Sequence, residues 1–264
     1  MPLTRSRWPH VAALAALGAL CLLVHSDARP IPPRTLSARM KLLPRTTLWA
    51  WERPEDLRTI NPATTAIAFL DQTILIGPAG ATPNLLSQPR RQPLAYPSAA
   101  ARIAVVRIQV APGLIPTPAQ QQQTVSLLLQ SAQLPGIAAL QVDFDATRSQ
   151  RLFYAALLAD LRRQMPPGLP LSITALASWC SYDDWIAALP VDEAVPMLFR
   201  MEPDRRRVPA DSPWFQIREP LCQGSLGLST HEPWPAALAA RRVYIFADRG
   251  WREDLPLLAD RKLP

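Results

Sequence analysis

The chain has 264 residues, with 30 prolines, 9 glycines, 3 cysteines and a formal net charge of +7. An apolar fraction of 48% excludes a disordered chain, and three cysteines exclude a small disulfide-rich protein. Proline at about twice its average frequency, without a Gly-X-Y repeat, excludes collagen and long coiled coils and indicates many short elements. The length fits one large α/β domain or two small domains.

The amino terminus has the pattern of an export signal. Arg5 and Arg7 precede an unbroken apolar run at residues 11–24, which the small residues at 26–28 follow. A helix over this run reaches about 21 Å, short of the roughly 30 Å of a bilayer core. We therefore predict a signal peptide over residues 1–28 and an exported protein, periplasmic or secreted. An uncleaved signal that anchors the chain is the alternative.

Removal of the signal would leave a tether and one domain. Residues 29–44 are rich in Pro and Arg and lack periodicity, so they are predicted to be a tether. Residues 45–264 are predicted to be a single domain. Cys180 and Cys222 are then the only cysteines, in a compartment where thiols oxidise. Both a disulfide between them and two buried free thiols remain open.

Charge and motif content limit the ligands. The basic clusters are separated and lack interleaved aromatic residues, so nucleic acid is not expected as a partner, whereas an anionic envelope surface suits the positive charge. No Gly-x-Gly-x-x-Gly or Walker motif follows a predicted strand, and the Cys and His residues lack paired-ligand spacing. We expect no cofactor, no metal and contact with a membrane only through the export signal. The oligomeric state stays open.

Short apolar runs alternate with helical patterns along the rest of the chain. This alternation indicates a parallel sheet, and eight strand units in this length predict an α/β fold of the (β/α)8 TIM-like barrel type, with an open doubly wound sheet as the alternative. The predicted strands are Thr47–Trp51, Ala66–Leu70, Ile103–Val110, Ile137–Val142, Leu171–Leu176, Ala194–Phe199, Leu226–Ser229 and Val243–Phe246. The predicted helices are Gln120–Gln133, Ser149–Met165, Tyr182–Leu189, Trp234–Ala240 and Trp251–Asp260.

Prolines mark the approach to most of these strands. Proline has a fixed φ and no N–H, which suits a turn at which a helix must end. The prolines that stand one to six residues before a predicted strand are Pro44, Pro62, Pro97, Pro135, Pro170, Pro190 and Pro220. This spacing favours one punctuated barrel over two small domains.

Barrel enzymes place their chemistry at the carboxyl ends of their strands, so the residues that follow the predicted strands form the candidate site. Asp143 and Asp145 follow the fourth strand and Glu232 follows the seventh, and these three are the predicted catalytic residues. Paired carboxylates supply the acid and the base or nucleophile of glycosidic cleavage, and aromatic rings stack on sugar faces. The residues predicted to bind substrate are Trp49, Trp51, Glu52, Asp71, Trp179, Arg200, His231, Asp248 and Trp251.

The carboxylates also have structural interpretations. Asp143 could accept hydrogen bonds from loop amides, Asp145 could cap the helix that follows, and Glu232 could be a solvated loop acid. At least one of Trp49 and Trp51 is expected in the core. If Asp145 and Glu232 form the catalytic pair, a separation of about 5 Å predicts retention and one of roughly 6.5 to 9.5 Å predicts inversion.

The fourth strand carries a resemblance to a known family. Alternate acidic residues at a strand end, followed by a helix, resemble the Asp-x-Asp-x-Glu strand of family 18 glycoside hydrolases, the chitinase-like barrels. Gln141, Asp143 and Asp145 occupy the three motif positions, and Pro196–Phe199 is similar to the Met-x-Tyr strand of that family. The first Asp of the motif is Gln141 here, and the proton-donating Glu is the shorter Asp145.

More of the chain resembles a family of exported bacterial proteins that carry a domain of unknown function. The resemblance names no reaction. The resemblance of the fourth strand to chitinase-like barrels, together with the strand-end carboxylates, implies a glycoside-hydrolase-like barrel that acts on or binds an envelope or environmental polysaccharide. The alternatives are a catalytically inert exported barrel that binds a glycan or a protein, and a scaffold without a small-molecule site. The segments that carry the resemblance are 48–58, 141–145, 171–180, 191–197 and 229–232.

Overall fold

The computed structural model describes residues 37–78, 80, 84–199, 216–235, 241–261 and 263–264. The predicted signal peptide, Arg200 and most of the predicted helix Trp234–Ala240 therefore lie outside the described residues. In the described part of the chain, no helix is long and apolar enough to cross a membrane. The strands are β1 Thr46–Ala50, β2 Glu55–Asp56, β3 Thr65–Ile76, β4 Leu85–Pro89, β5 Leu94–Ala95, β6 Arg102–Val110, β7 Ile137–Asp143, β8 Leu171–Leu176, β9 Glu193–Met197, β10 Ser225–Ser229 and β11 Arg242–Phe246. The helices are α1 Pro118–Ala132, α2 Arg151–Gln164, α3 Ala177–Ser181 and α4 Trp251–Asp254.

Eight parallel strands close into a barrel. Their order around it is β1, β3, β6, β7, β8, β9, β10 and β11, and β11 pairs with β1 again. The predicted TIM-like barrel is confirmed, because each of the eight predicted strands overlaps one barrel strand. The open doubly wound sheet is wrong, since the pairing of β1 with both β3 and β11 leaves no edge between them.

The second predicted strand is longer than its hydrophobic run indicates. β3 continues through a bulge between Leu70 and Gln72 as far as Ile76. Its second half pairs with the end of β6 on one side and with the antiparallel β4 on the other. Because the strand does not end at Leu70, Asp71 lies inside β3 and away from a strand end.

Amphipathic helices cover the outside of β6, β7 and β8. Apolar side chains of α1 and α2 pack against outward-facing residues of β7 such as Leu140 and Val142 in one buried cluster. The two corresponding predictions are confirmed within about two residues. The predicted helix Tyr182–Leu189 is wrong, and α3 lies just before it. Eight residues ended by Pro190 are too few to form a helix on propensity alone.

Two further predictions differ from the structure near prolines. The pattern at Trp251–Asp260 forms only α4 and a short 3-10 helix at Leu255–Leu258, because Pro256 has no N–H to donate. The sixth strand, predicted as Ala194–Phe199, is β9 at Glu193–Met197, so it starts one residue earlier, ends two residues earlier and includes Pro196. β9 pairs with β8 over five positions and with β10 at one, so the missing donor costs little pairing.

A chain of hydrogen bonds crosses the barrel interior. The indole Nε1 of Trp49 donates to Gln141 Oε1 at 2.7 Å, and Gln141 Nε2 donates to Ser172 Oγ at 3.1 Å. Ser172 Oγ in turn donates to Glu193 Oε2 at 3.0 Å. All four residues are buried. Gln141 therefore links three strands inside the barrel, a task that an amide performs without a buried charge.

Arg242 closes the amino-terminal end of the barrel. Its guanidinium donates to the main-chain carbonyls of Met40, Leu43 and Pro44, and Met40 is fully buried. Residues 40–44, the last of the predicted tether, thus contact the barrel through Arg242, because one guanidinium satisfies three carbonyls of a segment that is distant in the sequence.

Gly227 lies in the barrel interior with little room for a side chain. A Cβ there would stand 3.0 Å from the Trp49 ring and 3.1 Å from the Pro196 carbonyl oxygen. We expect Gly227→Ala to lower the free energy of unfolding by about 1–3 kcal/mol, because neither neighbour can move far. Urea unfolding measures this effect. Gly168→Ala is the control, since nothing lies within 4 Å of its Cβ position, and equal stability of both variants would contradict the expectation.

Candidate functional site

A cleft opens at the carboxyl ends of β6 and β7. It has a volume of about 370 Å³, and Arg107, Asp143 and Asp145 are among its lining residues. The two neighbouring strands hold Arg107 and Asp143 directly opposite each other in register. Asp145 comes two residues later, just beyond the end of β7. The strand-end prediction for the two aspartates therefore agrees with where the structure places them.

Asp143 is a buried acid inside the mouth of the barrel. Its carboxyl accepts a hydrogen bond from Thr174 Oγ1 at 2.7 Å, and Arg107 Nε lies 3.8 Å away. Burial raises the pKa of Asp143, and the nearby Asp145 raises it further, while the Thr174 hydrogen bond and Arg107 oppose the shift. A proton is therefore held more tightly here than on a solvated aspartate.

Asp145 is the outer acid of the cleft. Desolvation by the cleft walls raises the pKa of Asp145, against the opposing charge of Arg107. The N-cap position of the turn that follows is Thr147, whose N–H donates to Gln150 Oε1 at 3.0 Å. The helix-capping role considered for Asp145 is therefore taken by Thr147, two residues later, and Asp145 borders the cleft.

Aromatic rings cluster at the carboxyl ends of β1, β9 and β11. Phe199 and Phe246 stack with centroids 5.5 Å apart and an interplanar angle of 11°. Trp51, which is half-buried, meets Phe246 edge-on at 6.4 Å. The Arg53 guanidinium lies over Phe246 at 5.7 Å. Trp49, in β1, is buried in the interior, whereas Trp51, just after β1, stays partly exposed.

Two other predicted substrate-binding tryptophans are part of the core. Trp251 is fully buried, and its Nε1 donates to the main-chain oxygen of Trp49 at 2.8 Å. Trp179 is buried outside the barrel wall, against Trp185 with centroids 4.9 Å apart. Neither ring has a face that could stack on a sugar. Sequence position cannot distinguish them from Trp51, because side chains just past a strand end point into the mouth or away from it.

Two acidic residues that were predicted to bind substrate, Glu52 and Asp71, have structural hydrogen bonds instead. Glu52 accepts the main-chain N–H groups of Arg91 and Gln92 at 3.0 and 3.1 Å. Asp71 accepts from Ser131 Oγ at 2.6 Å at the end of α1, outside the barrel mouth.

The acids and the histidine after β10 and β11 form a second group. His231 Nε2 lies 3.0 Å from Asp254 Oδ1, and Asp248 accepts hydrogen bonds from Ser229 Oγ and from the His231 N–H. Glu232 follows on the same loop and is half-buried. The lining of the cleft with Asp143 and Asp145, as far as the described residues define it, does not include Glu232.

Sequence reasoning missed three members of the mouth. Arg107 continues the inward-facing series of β6 at a period of two, after two buried apolar residues, which is a signal that could have identified it. Thr174 and Phe246 lie inside apolar strand runs, where nothing marks them as lining residues. Their importance depends on which strands become neighbours.

The structure joins Cys180 and Cys222 in a disulfide, with their Cα atoms 5.8 Å apart. The bond links α3 to the turn before β10 and lies in the same buried cluster as Trp179. The two cysteines are 42 residues apart in the sequence. The disulfide thus restrains the segment between residues 180 and 222, which has few helices or strands among its described residues.

Reduction of this bond is expected to destabilise the domain by about 2–4 kcal/mol, because the cross-link restricts the unfolded chain. The measurement is thermal unfolding with and without a thiol reductant. Cys180→Ser/Cys222→Ser should melt at the temperature of the reduced wild type, and reductant should leave its melting unchanged. Two titratable thiols in the untreated protein would show that the bond does not form.

The protein is thus an α/β barrel with a cleft lined by carboxylates and an arginine, which suits polar ligands. Residues 99–203, which include both aspartates of the cleft, match the family described as "Domain of unknown function (DUF3142)". The resemblance to a domain of unknown function is thus confirmed over less than half of the chain. No curated protein matches the chain.

Among solved structures, the chain is similar to the "Crystal structure of the Bacillus cereus spore cortex-lytic enzyme SleL", with 16% sequence identity and a TM-score of 0.45. The similarity covers 71% of this chain and 51% of that chain. The chain therefore spans about half the length of that structure.

Proposed function

We propose that this barrel is an exported glycoside hydrolase of polysaccharides, with Asp145 as the proton donor. The observation that carries the proposal is the cleft at the ends of β6 and β7, in which both aspartates have raised pKa values. A glycosidic oxygen must be protonated as its bond breaks, and a carboxyl group serves this purpose when its pKa is raised toward the working pH.

Asp143 would support this step from the interior. Its carboxyl accepts a hydrogen bond from Thr174, one strand away, and its burial favours the protonated form. Asp143 is therefore placed to orient a polar group of the substrate. The candidate for the nucleophile or base is Glu232, and its separation from Asp145 would determine the stereochemical course.

Binding without catalysis is the second candidate function. The half-buried rings of Trp51 and Phe199, which both pack against the buried Phe246, offer apolar surface of the kind that carries sugar rings. Such a surface supports glycan binding whether or not Asp145 transfers a proton. An aspartate reaches one methylene less far than the glutamate of the chitinase-like motif, which is the specific reason to keep this candidate.

Hydrolysis of a panel of chitin, peptidoglycan and β-glucan oligosaccharides tests the proposal. Wild type and Asp145→Asn are compared for turnover by product analysis and for binding by calorimetry. Turnover by the wild type alone would support the hydrolase. Binding by both proteins without turnover by either would support the binding function instead, and no binding at all would contradict both.

A further inference from the structure

Arg107 extends its guanidinium into the cleft, and its side chain donates no hydrogen bond to the part of the chain that the structure describes. Its side chain is 40% exposed, and its Nε atom makes the closest approach to Asp143, at 3.8 Å, too long for a hydrogen bond. Among the described residues no hydrogen bond from its Nη atoms is found. The forked edge of the guanidinium is thus open to whatever occupies the cleft.

Three other arginines use their donors on main-chain oxygens of the protein. Arg242 donates to three carbonyls at the amino-terminal end of the barrel. Arg90 donates to main-chain oxygens of the loop after β1, and Arg53 to those after β11. These three guanidinium groups hold main-chain segments together, whereas the open fork of Arg107 lies at a cleft that also holds two acids with raised pKa values.

We propose that Arg107 determines specificity by binding a carboxylate of the substrate, so that the cleft selects acidic polysaccharides over neutral ones. The inference rests on the proposed function, because it names the substrate class of the same cleft. A guanidinium and a carboxylate form two parallel hydrogen bonds, which give both affinity and orientation. Such a pair would position the sugar next to Asp145, one strand away from Arg107.

The two aspartates leave room for this anion. Arg107 faces Asp143 with Nε, so the Nη edge is free for a second carboxylate. Asp143 is buried, and burial disfavours its charged form. The protein as a whole carries a formal charge of +7, which attracts anionic polymers over a longer range. Thr147 and Gln109 in the cleft lining add neutral hydrogen-bonding groups.

The test uses a hexasaccharide of alternating N-acetylglucosamine and glucuronic acid, and the same compound with its carboxylates reduced to alcohols. Binding of each is measured by calorimetry for wild type, Arg107→Gln and Arg107→Lys. We expect the wild type to bind the acidic compound about 10- to 100-fold more tightly than the reduced one. Arg107→Gln should lose this preference, and Arg107→Lys should keep part of it because the charge remains but the fork is lost.

Arg148→Gln is the matched control, because Arg148 is exposed just beyond the cleft and its loss removes the same charge. Its preference should equal that of the wild type. Equal binding of both compounds by the wild type would overturn the role of Arg107 while leaving the hydrolase proposal intact. Failure to bind either compound, together with failure on the neutral panel, would overturn both. If Arg148→Gln also lost the preference, the specific role of Arg107 would be overturned, because the preference would then depend on the total positive charge and not on one guanidinium.

Discussion

Asp145→Asn is expected to lower turnover of the best substrate by about 10²- to 10⁴-fold, the range that a positioned proton donor contributes. Asparagine keeps the size and polarity of the side chain but cannot transfer the proton. Binding should change little, because the variant keeps the shape of the cleft. The assay is single-turnover hydrolysis at saturating enzyme, which separates chemistry from binding.

The pH dependence of the wild type gives an independent check. Asp145 must be protonated to act, so turnover should fall as the pH rises through its raised pKa. The titratable and charged groups around it are Asp143, Arg107 and Tyr154. Because Arg107 holds the pKa of Asp145 down, Arg107→Gln should move this alkaline limb to higher pH. A limb that stays in place would argue against Asp145 as the acid.

One control variant and one diagnostic variant make the result specific. Asp184→Asn, the control, changes an exposed aspartate outside the cleft and should leave turnover unchanged. Glu232→Gln distinguishes Glu232 from Asp143 as the partner of Asp145. A loss comparable to that of Asp145→Asn would support Glu232 as the nucleophile or base, whereas unchanged turnover would leave the reaction to the pair of aspartates in the cleft.

Arg242→Met is expected to lower the free energy of unfolding by about 3–5 kcal/mol, the largest stability effect of the substitutions considered. Arg242 Nε lies 3.4 Å from Glu193 Oε1, and both side chains are buried. Tyr244 and Ser172 also donate to Glu193. Methionine would fill the space but would leave the carboxylate without its counter-charge and the carbonyls at the barrel floor without their donor.

The charge part of this effect can be measured by a double-mutant cycle. Arg242→Met should cost less in a Glu193→Gln background, because the neutral amide needs no counter-charge. Burial raises the pKa of Glu193, and loss of Arg242 would raise it further. The stability deficit of Arg242→Met should therefore be smallest below the ordinary pKa of glutamate and should grow as the pH rises through the raised value.

Urea unfolding at about pH 4.5 and about pH 7 provides these numbers. Arg252→Met, an exposed arginine of α4, serves as the control and should change stability by less than about 0.5 kcal/mol. A pH-independent deficit would show that Arg242 acts through its contacts with the carbonyls of residues 40–44 alone. A cost no greater than that of Arg252→Met would contradict the structural role of the ion pair.

The barrel architecture was predictable from local pattern. The strand runs are mostly apolar because parallel strands are covered by the barrel interior on one side and by helices on the other. Prolines lie shortly before β1, β3 and β6 to β10, where the chain turns into each strand. Asp143 and Asp145 were identifiable for the same reason, since a polar residue at the end of such a run must face the mouth or a loop.

Only the tertiary structure decided which polar and aromatic residues meet. Trp49, Trp51 and Trp251 are all near strand ends. Trp49 is nevertheless buried in the barrel interior, where it donates to Gln141, and Trp251 is buried at the start of α4, where it donates to the main-chain oxygen of Trp49. Arg107 acquires its position at the cleft because β6 pairs with β7 in a register that sets it opposite Asp143. Alternation along one strand determines which face a side chain takes, whereas its partners depend on strand order and register, and these are set by contacts between residues far apart in the sequence.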